Sequence, residues 1–440
     1  MKNIRGFTLL ELLITMALVI GVLMITSSAF NSILKTTGRL VSSEESNIEG
    51  IVGLELFRHD LQQTGFGIPF SFYSSASDAK PKYAEAVVEP AKWLNDGSGT
   101  AGAPGSGNIP RAVASWNYIP ASTATSDEGG ATYNVLTGTD YLAIKATTVA
   151  TNSAAQKWTY LSYSGVNGEV STKPAKSWPN AEDNLKASDD RVIVLSRSFS
   201  STGVLTNSLV YVPSTPATYW VNYTNVSFNS AYSPTNSQEI FYMYGIVKNT
   251  DLVMPFNRAD YFVAIPGDTT KIPSSCAKDS AGNPNTGILY KTNVNHGTTS
   301  GTKTGKLTYM PILDCVADMQ VVFGWDLNGD GVIEESSAYN SDSTKIFVSG
   351  TTITEAAIKT VMESPSEIRN KLRYIKVYIM AQEGRKDSNF TNVSPITVGD
   401  TTNGSLTRTY SVANLSTLGW LNYRWKIYRI VVRPKNLLLN

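Results

Sequence analysis

From Phe7 to Leu34 the chain runs 28 residues with a single charge, Glu11. At about 1.5 Å per residue a helix of that length reaches roughly 42 Å, enough to cross a bilayer. Beyond it, Leu40, Val41, Ile48, Ile51, Leu54, Phe57 and Leu61 recur at helical spacing, with Glu44, Glu45, Asn47, Glu49, Arg58 and Gln62 between them. The pattern predicts one rod, apolar all round in its first half and one-sided in its second. Gly65 stands where a left-handed cap would end the helix near Thr64, and Pro69 prevents it from resuming. Gly21 and Gly38 are places for a bend, but neither need break the rod.

After the rod the period changes. Residues 71–137 and 147–188 are rich in Ser, Ala, Gly, Thr, Asn and Pro and read as long loops or insertions between short strands. Strand patterns fall at Tyr141–Ala146, Arg191–Leu195, Glu239–Val247, Tyr261–Ile265, Gly287–Lys291, Lys306–Met310, Val316–Trp325, Leu372–Ala381 and Tyr423–Val432. In the last, Trp425 and Ile427 alternate with Arg424 and Lys426, as in a half-buried antiparallel strand. A further helix is expected at Thr354–Met362 or Ser366–Asn370. The fold class that follows is α+β: a long N-terminal helical stem packed on a large antiparallel β-rich head with long loop insertions, the loop-rich part being 71–190.

Composition narrows the function classes. Lys plus Arg total 37 and Asp plus Glu 36, so no global basic field attracts nucleic acid. The 22 tyrosines, with charged residues at only 17%, suit an extracellular β-rich protein better than a cytosolic enzyme. Outside the inner membrane, the two cysteines, Cys276 and Cys315, are expected to be bridged, worth about 4 kcal/mol for a loop of about 40 residues. Two buried free thiols are the alternative. The only histidines are His59, beside Asp60 on the rod, and His296 in a turn-like string. Neither accompanies a nucleophile, phosphate-loop or zinc motif, so no enzyme is expected. The run Arg369, Lys371, Arg373, Lys376 reads as the solvated face of a strand rather than a DNA track.

Glu11 needs a partner, because a carboxylate in lipid costs about 2.5–3.5 kcal/mol on insertion scales. A secretory signal peptide lacks support here: no small-x-small cleavage site is followed by polar sequence, and the apolar stretch is too long. A plain anchor leaves Glu11 unexplained. The string Gly6-Phe7-Thr8-Leu9-Leu10-Glu11 resembles the type IV prepilin signature. That resemblance implies a prepilin peptidase cutting between Gly6 and Phe7, N-methylation of Phe7, and Glu11 paired with the freed amine of a neighbouring subunit. It divides the chain into a leader (1–6), a membrane and assembly helix (7–34), an amphipathic half packed on the head (35–66) and a head outside the cytoplasm (67–440).

Several further strings are similar to PilW-type minor pilins, relatives of the J-type pseudopilins of type II secretion. They are Leu56 to Phe66, Gly138 to Leu142, Tyr290 through Cys315, Phe323 to Asp326, Ala381 to Arg385 and Tyr423 to Lys426. The resemblance implies a subunit that starts or caps a pilus. Its partners would be other minor pilins, the major pilin and the inner-membrane assembly platform. It would sit in the inner membrane as a single-pass precursor before assembly, then at the pilus tip on the cell surface. Size favours a minor subunit, since a head of about 370 residues has a radius of gyration near 21 Å and fits where neighbours are few. A type II secretion pseudopilin and a tip adhesin are the alternatives.

Asp326-Leu327-Asn328-Gly329-Asp330-Gly331-Val332-Ile333-Glu334 matches the first nine positions of a calcium-loop pattern. Asp326, Asn328, Asp330, the Val332 carbonyl and Glu334 would be the oxygen donors. The twelfth position is Ser337 rather than glutamate, and a strand precedes the loop, so an EF-hand is not expected. A strand-loop calcium site and an Asx-rich turn needing no ion both remain open. No cofactor is required.

Overall fold

The structure, a computed structural model, describes residues 9–73, 80–96, 108–163, 176–199, 205–213, 217–224, 230–235, 237, 239–297, 303–349, 353–402 and 404–437. Within the stem helix it describes the side chains of 9–10, 12–27, 30 and 50–63. The helix α1 (Leu9–Gln63) leads into β1 (Ser71–Tyr73), β2 (Val113–Trp116), β3 (Ala124–Ser126), β4 (Thr132–Val135), β5 (Tyr141–Ala146) and β6 (Trp158–Ser162). Then come β7 (Asp190–Phe199), β8 (Leu205–Val210), β9 (Trp220–Asn222), β10 (Ile240–Lys248), β11 (Asn257–Pro266), β12 (Gly287–Val294), β13 (Leu307–Trp325) and β14 (Glu334–Ser337). Helices α2 (Glu355–Glu363) and α3 (Pro365–Lys371), strands β15 (Leu372–Glu383), β16 (Ile396–Gly399) and β17 (Thr407–Tyr410), helix α4 (Val412–Thr417) and strand β18 (Arg424–Val432) follow.

Two sheets carry the head. A ten-stranded sheet runs β18-β15-β13-β12-β11-β4-β3, with β5 on β11, β2 on β5 and β14 on β13. A six-stranded sheet runs β1-β8-β7-β10-β6, with β9 on β7. Among the described strands the pairings are antiparallel, as expected, apart from the parallel pair β1 with β8. The two segments predicted at 306–310 and 316–325 are one strand, β13. Pro311 is accommodated inside it at a register shift against β12, where a missing ladder donor is tolerated. Both alternatives for the later helix form. Ser364 ends α2 and caps α3 by accepting from Glu367 N, and Pro365 stands at the first helical position, which needs no N–H donor.

The stem is one uninterrupted helix, ending at Gln63 with Gly65 at φ +82°. Leu54, Phe57 and Leu61 are buried, as their spacing predicts, but Ile51 is 63% exposed and does not join them. The helix lies close to β13. A Cβ on Gly53 would stand 2.2 Å from the Ile312 carbonyl oxygen, and one on Gly50 would meet Leu313 Cδ1 at 3.1 Å.

Between β1 and β2, the described residues 80–96 and 108–112 are held by buried charges as well as by backbone bonds such as Ala84 N to the Val253 carbonyl and Val87 N to the Gly305 carbonyl. Lys145, fully buried on β5, contacts Asp96 at 2.5 Å and Glu85 at 2.7 Å. Arg258 and Asp260 share β11, and Arg258 also reaches Glu85 at 2.9 Å. Arg111 binds both oxygens of Asp96. Burial pushes the Asp96 carboxyl up, but Lys145 and Arg111 outweigh it and hold the pKa below the ordinary value. Lys145, Arg111 and Arg258 thus meet Glu85, Asp96 and Asp260 in a balanced cluster.

Candidate functional site

The described lower stem is apolar on every face and uncovered: Leu9 is 81% exposed, Ile25 73% and Met24 69%. Its two threonines return their hydroxyls to the helix itself, Thr15 to the Leu12 carbonyl at 3.0 Å and Thr26 to the Val22 carbonyl at 2.7 Å. Such a surface needs an apolar partner, lipid or other helices. Among the described residues no helix is long and apolar enough to cross a membrane.

The upper stem has its partner within the chain. Phe57 stacks on Tyr261 of β11, centroids 3.8 Å apart and planes within 8°. Asp60, three residues on and hence on the same face, accepts the Tyr261 hydroxyl at 2.7 Å and lies 2.5 Å from Lys291 Nζ on β12. A buried carboxylate survives there because a cation and a hydroxyl neutralise it together. Burial and the neighbouring Asp60 raise the Tyr261 pKa well above that of a free phenol. The C-terminal segment closes over the helix end, where Asn436 Nδ2 donates to the Gln62 carbonyl at 3.4 Å.

Gly6 and Phe7 lie outside the described residues, and Glu11 lies on α1 with its side chain outside them. Cys276 and Cys315 are bonded, with an S–S distance of 1.96 Å and Cα atoms 5.0 Å apart, tying the segment after β11 to the middle of β13. In the 326–334 loop, Asp326 accepts from Arg373 Nε and Nη2 at 3.2 and 3.0 Å and from Gly329 N at 2.8 Å. Asp330 accepts from Val332 N at 2.7 Å and Asn328 Nδ2 at 2.8 Å. Glu334 reaches the Leu327 N–H at 3.5 Å. Asx turns close the loop, and Arg373 already supplies the positive charge beside Asp326. Among the described residues no group of three or more His, Cys, Asp or Glu side chains converges to hold a metal.

The basic run divides. Arg369 and Lys371 belong to α3, while Lys376 on β15 is mostly buried and bridges Glu335 and Asp400. The expectation of a solvated strand face is therefore corrected, because acids from β14 and the turn after β16 cover it. His59 is exposed, 3.6 Å from Asp60. His296 is buried 3.2 Å from Asn257 Oδ1, and burial pushes its pKa down to about 4.

The residues that seat the stem, Gly50, Gly53 and Asp60, are not singled out by sequence reasoning. Their signal was present: two glycines three apart on a helix, and an acid three residues after Phe57 on the apolar face.

Residues 1–26 match the family described as Prokaryotic N-terminal methylation motif. The match supports a prepilin-type chain of the type IV pilin and pseudopilin class, processed by prepilin peptidase and membrane-anchored before assembly. No curated protein and no solved structure matches the chain.

Proposed function

We propose that this chain is a minor type IV pilin of PilW type, which helps to initiate or cap a pilus and occupies its tip. The observation that carries the reading is the methylation motif running directly into a helix whose lower part is bare apolar and whose upper part is anchored in a large β-rich head. Prepilin peptidase would cut between Gly6 and Phe7, and Phe7 would be methylated. Residues 7–34 would hold the precursor in the inner membrane as a single pass, head outside the cytoplasm. Glu11 would pair with the amine of an adjacent subunit during extraction into the filament. The role is structural, with no catalytic step. Immunogold labelling of the head should decorate pilus ends, and deletion of the gene should abolish pilus display while leaving exoprotein export intact. Loss of export with pili retained would assign the chain to type II secretion instead.

We propose also that calcium competes with Arg373 for Asp326 in the 326–334 loop. Asn328, Asp330, the Val332 carbonyl and Glu334 would complete an oxygen set once Arg373 withdraws.

A further inference from the structure

The floor formed by the Asp96 and Arg111 pair opens into a cleft of about 860 Å³, bounded by the stem exit at Phe70, the short helical turn at Trp93, Tyr339 and the start of α3. That volume lies within the range of small-ligand sites, roughly 300–1,000 Å³. Its walls include the half-buried aromatic rings of Phe70, Trp93 and Tyr339. Trp93 leans on Trp116 at 4.8 Å, and Tyr339 meets the same indole edge-on at 6.1 Å. These contacts hold the two rings in place before any ligand arrives.

Most polar side chains of the cleft are engaged; among the described residues, Asn108 and Arg369 have no hydrogen-bonded partner. Arg111 binds Asp96 and the carbonyls of Met362, Leu94 and Asn95. Glu363 takes the Tyr339 hydroxyl at 2.7 Å. Arg369 lies 4.1 Å over the Phe70 ring, and among the described residues no carboxylate, carbonyl or hydroxyl binds its guanidinium. Partial burial lowers its pKa from the ordinary guanidinium value, the mark of a cation that an anion would relieve. A guanidinium backed by a ring, with its fork unfilled, suits a planar carboxylate. The acids Asp96 and Glu363 that share the cleft with Arg369 disfavour a polyphosphate track, which calls for many cations, and match a ligand with one carboxylate. Aromatic rings together with the amide of Asn108 and the hydroxyl of Ser366 in one lining fit a ring that offers both C–H faces and hydroxyls.

We propose that this cleft binds an acidic oligosaccharide, with a uronate carboxylate on Arg369 and its pyranose ring against Trp93. The site does not depend on the pilin reading, since binding needs no filament. The test is calorimetric titration of the full chain in detergent with a trisaccharide carrying one terminal uronate and with the methyl ester of that uronate. The acid should bind about 10- to 100-fold more tightly than the ester, the contribution of a charge-assisted hydrogen-bonded pair. Arg369→Gln should remove that preference, and Trp93→Ala should weaken both ligands. Equal affinity for acid and ester in the wild type, no saturable binding at millimolar acid, or retained preference in a folded Arg369→Gln would overturn the assignment. Should Arg369→Gln fail to fold, the wild-type comparison decides alone.

Discussion

Between Gly50 and Gln63, α1 is seated on its own head: Phe57 and Leu61 are fully covered, and a glycine backbone rests against the Ile312 carbonyl. Between Leu9 and Phe30 the described side chains of the same helix present leucine, isoleucine and methionine to their surroundings. The upper half also carries an acid, Asp60, whose neutralising partner Lys291 belongs to the chain. The lower half carries Glu11, whose partner the proposed function places on another chain. On the proposed function, one helix would accommodate its two acids in two ways, Asp60 within the chain and Glu11 between chains. The contrast teaches that the upper stem is part of the folding unit, whereas the lower stem is completed only by lipid or by a neighbour.

The strongest way to break this contrast is to exchange the two acids' fates. Asp60→Ala leaves Lys291 buried without its carboxylate and should cost about 3–5 kcal/mol of unfolding free energy, read by denaturant titration in detergent. Glu11→Ala should leave that stability and membrane insertion unchanged, yet reduce recovery of the chain in sheared pili. A destabilised Glu11→Ala, or an Asp60→Ala of wild-type stability, would merge the two halves into one class. Next in size, Gly53→Val drives a side chain into the Ile312 carbonyl and should cost about 1–3 kcal/mol, with loss of protease protection at the stem–head junction. Gly21→Val, on the lower stem where a Cβ meets nothing within 4 Å, should leave thermal stability in detergent unchanged.

A third acid sharpens the comparison through pH. Asp140 is buried and accepts backbone N–H groups of Val321 and Tyr118 rather than a close ion pair. Burial raises its carboxyl from 3.8 to about 8, although those N–H groups lower it in part. The folded chain keeps a proton that the unfolded chain has released, so this contribution to stability is full below about pH 4 and is lost as pH rises toward 8. Asp140→Asn should flatten that fall in unfolding free energy between pH 4 and 8; an unchanged slope would remove Asp140 as its source. The smallest effect concerns the 326–334 loop. Calcium should raise the thermal midpoint slightly in the wild type, more in Arg373→Gln, and not at all in Asp330→Ala. A rise that Arg373→Gln leaves unaltered would refute competition for Asp326.

The stem was legible in sequence because its period is local: Leu54, Phe57 and Leu61 recur at spacings of three and four, and Gly65 with Pro69 marks the end. Strands such as β5, β11 and β15 were legible as apolar runs. Their partners were not, since the order of a ten-stranded sheet and the parallel β1–β8 pair depend on contacts between residues far apart in the chain. The cysteine pair was anticipated from compartment and count. The buried ion cluster was hidden because Lys145, Arg258 and Asp260 look like interruptions of apolar runs, and only folding brings Glu85 and Asp96 beside them. Arg373 was likewise read as one of a basic series, when its proximity to Asp326 is what alters the metal-like loop.

The proposed function makes this chain a processed prepilin whose mature form begins at Phe7. N-terminal mass spectrometry of protein recovered from assembled filaments tests it most directly. The mature chain should begin with N-methylated Phe7 and lack residues 1–6. Filament protein that still begins at Met1 would contradict it.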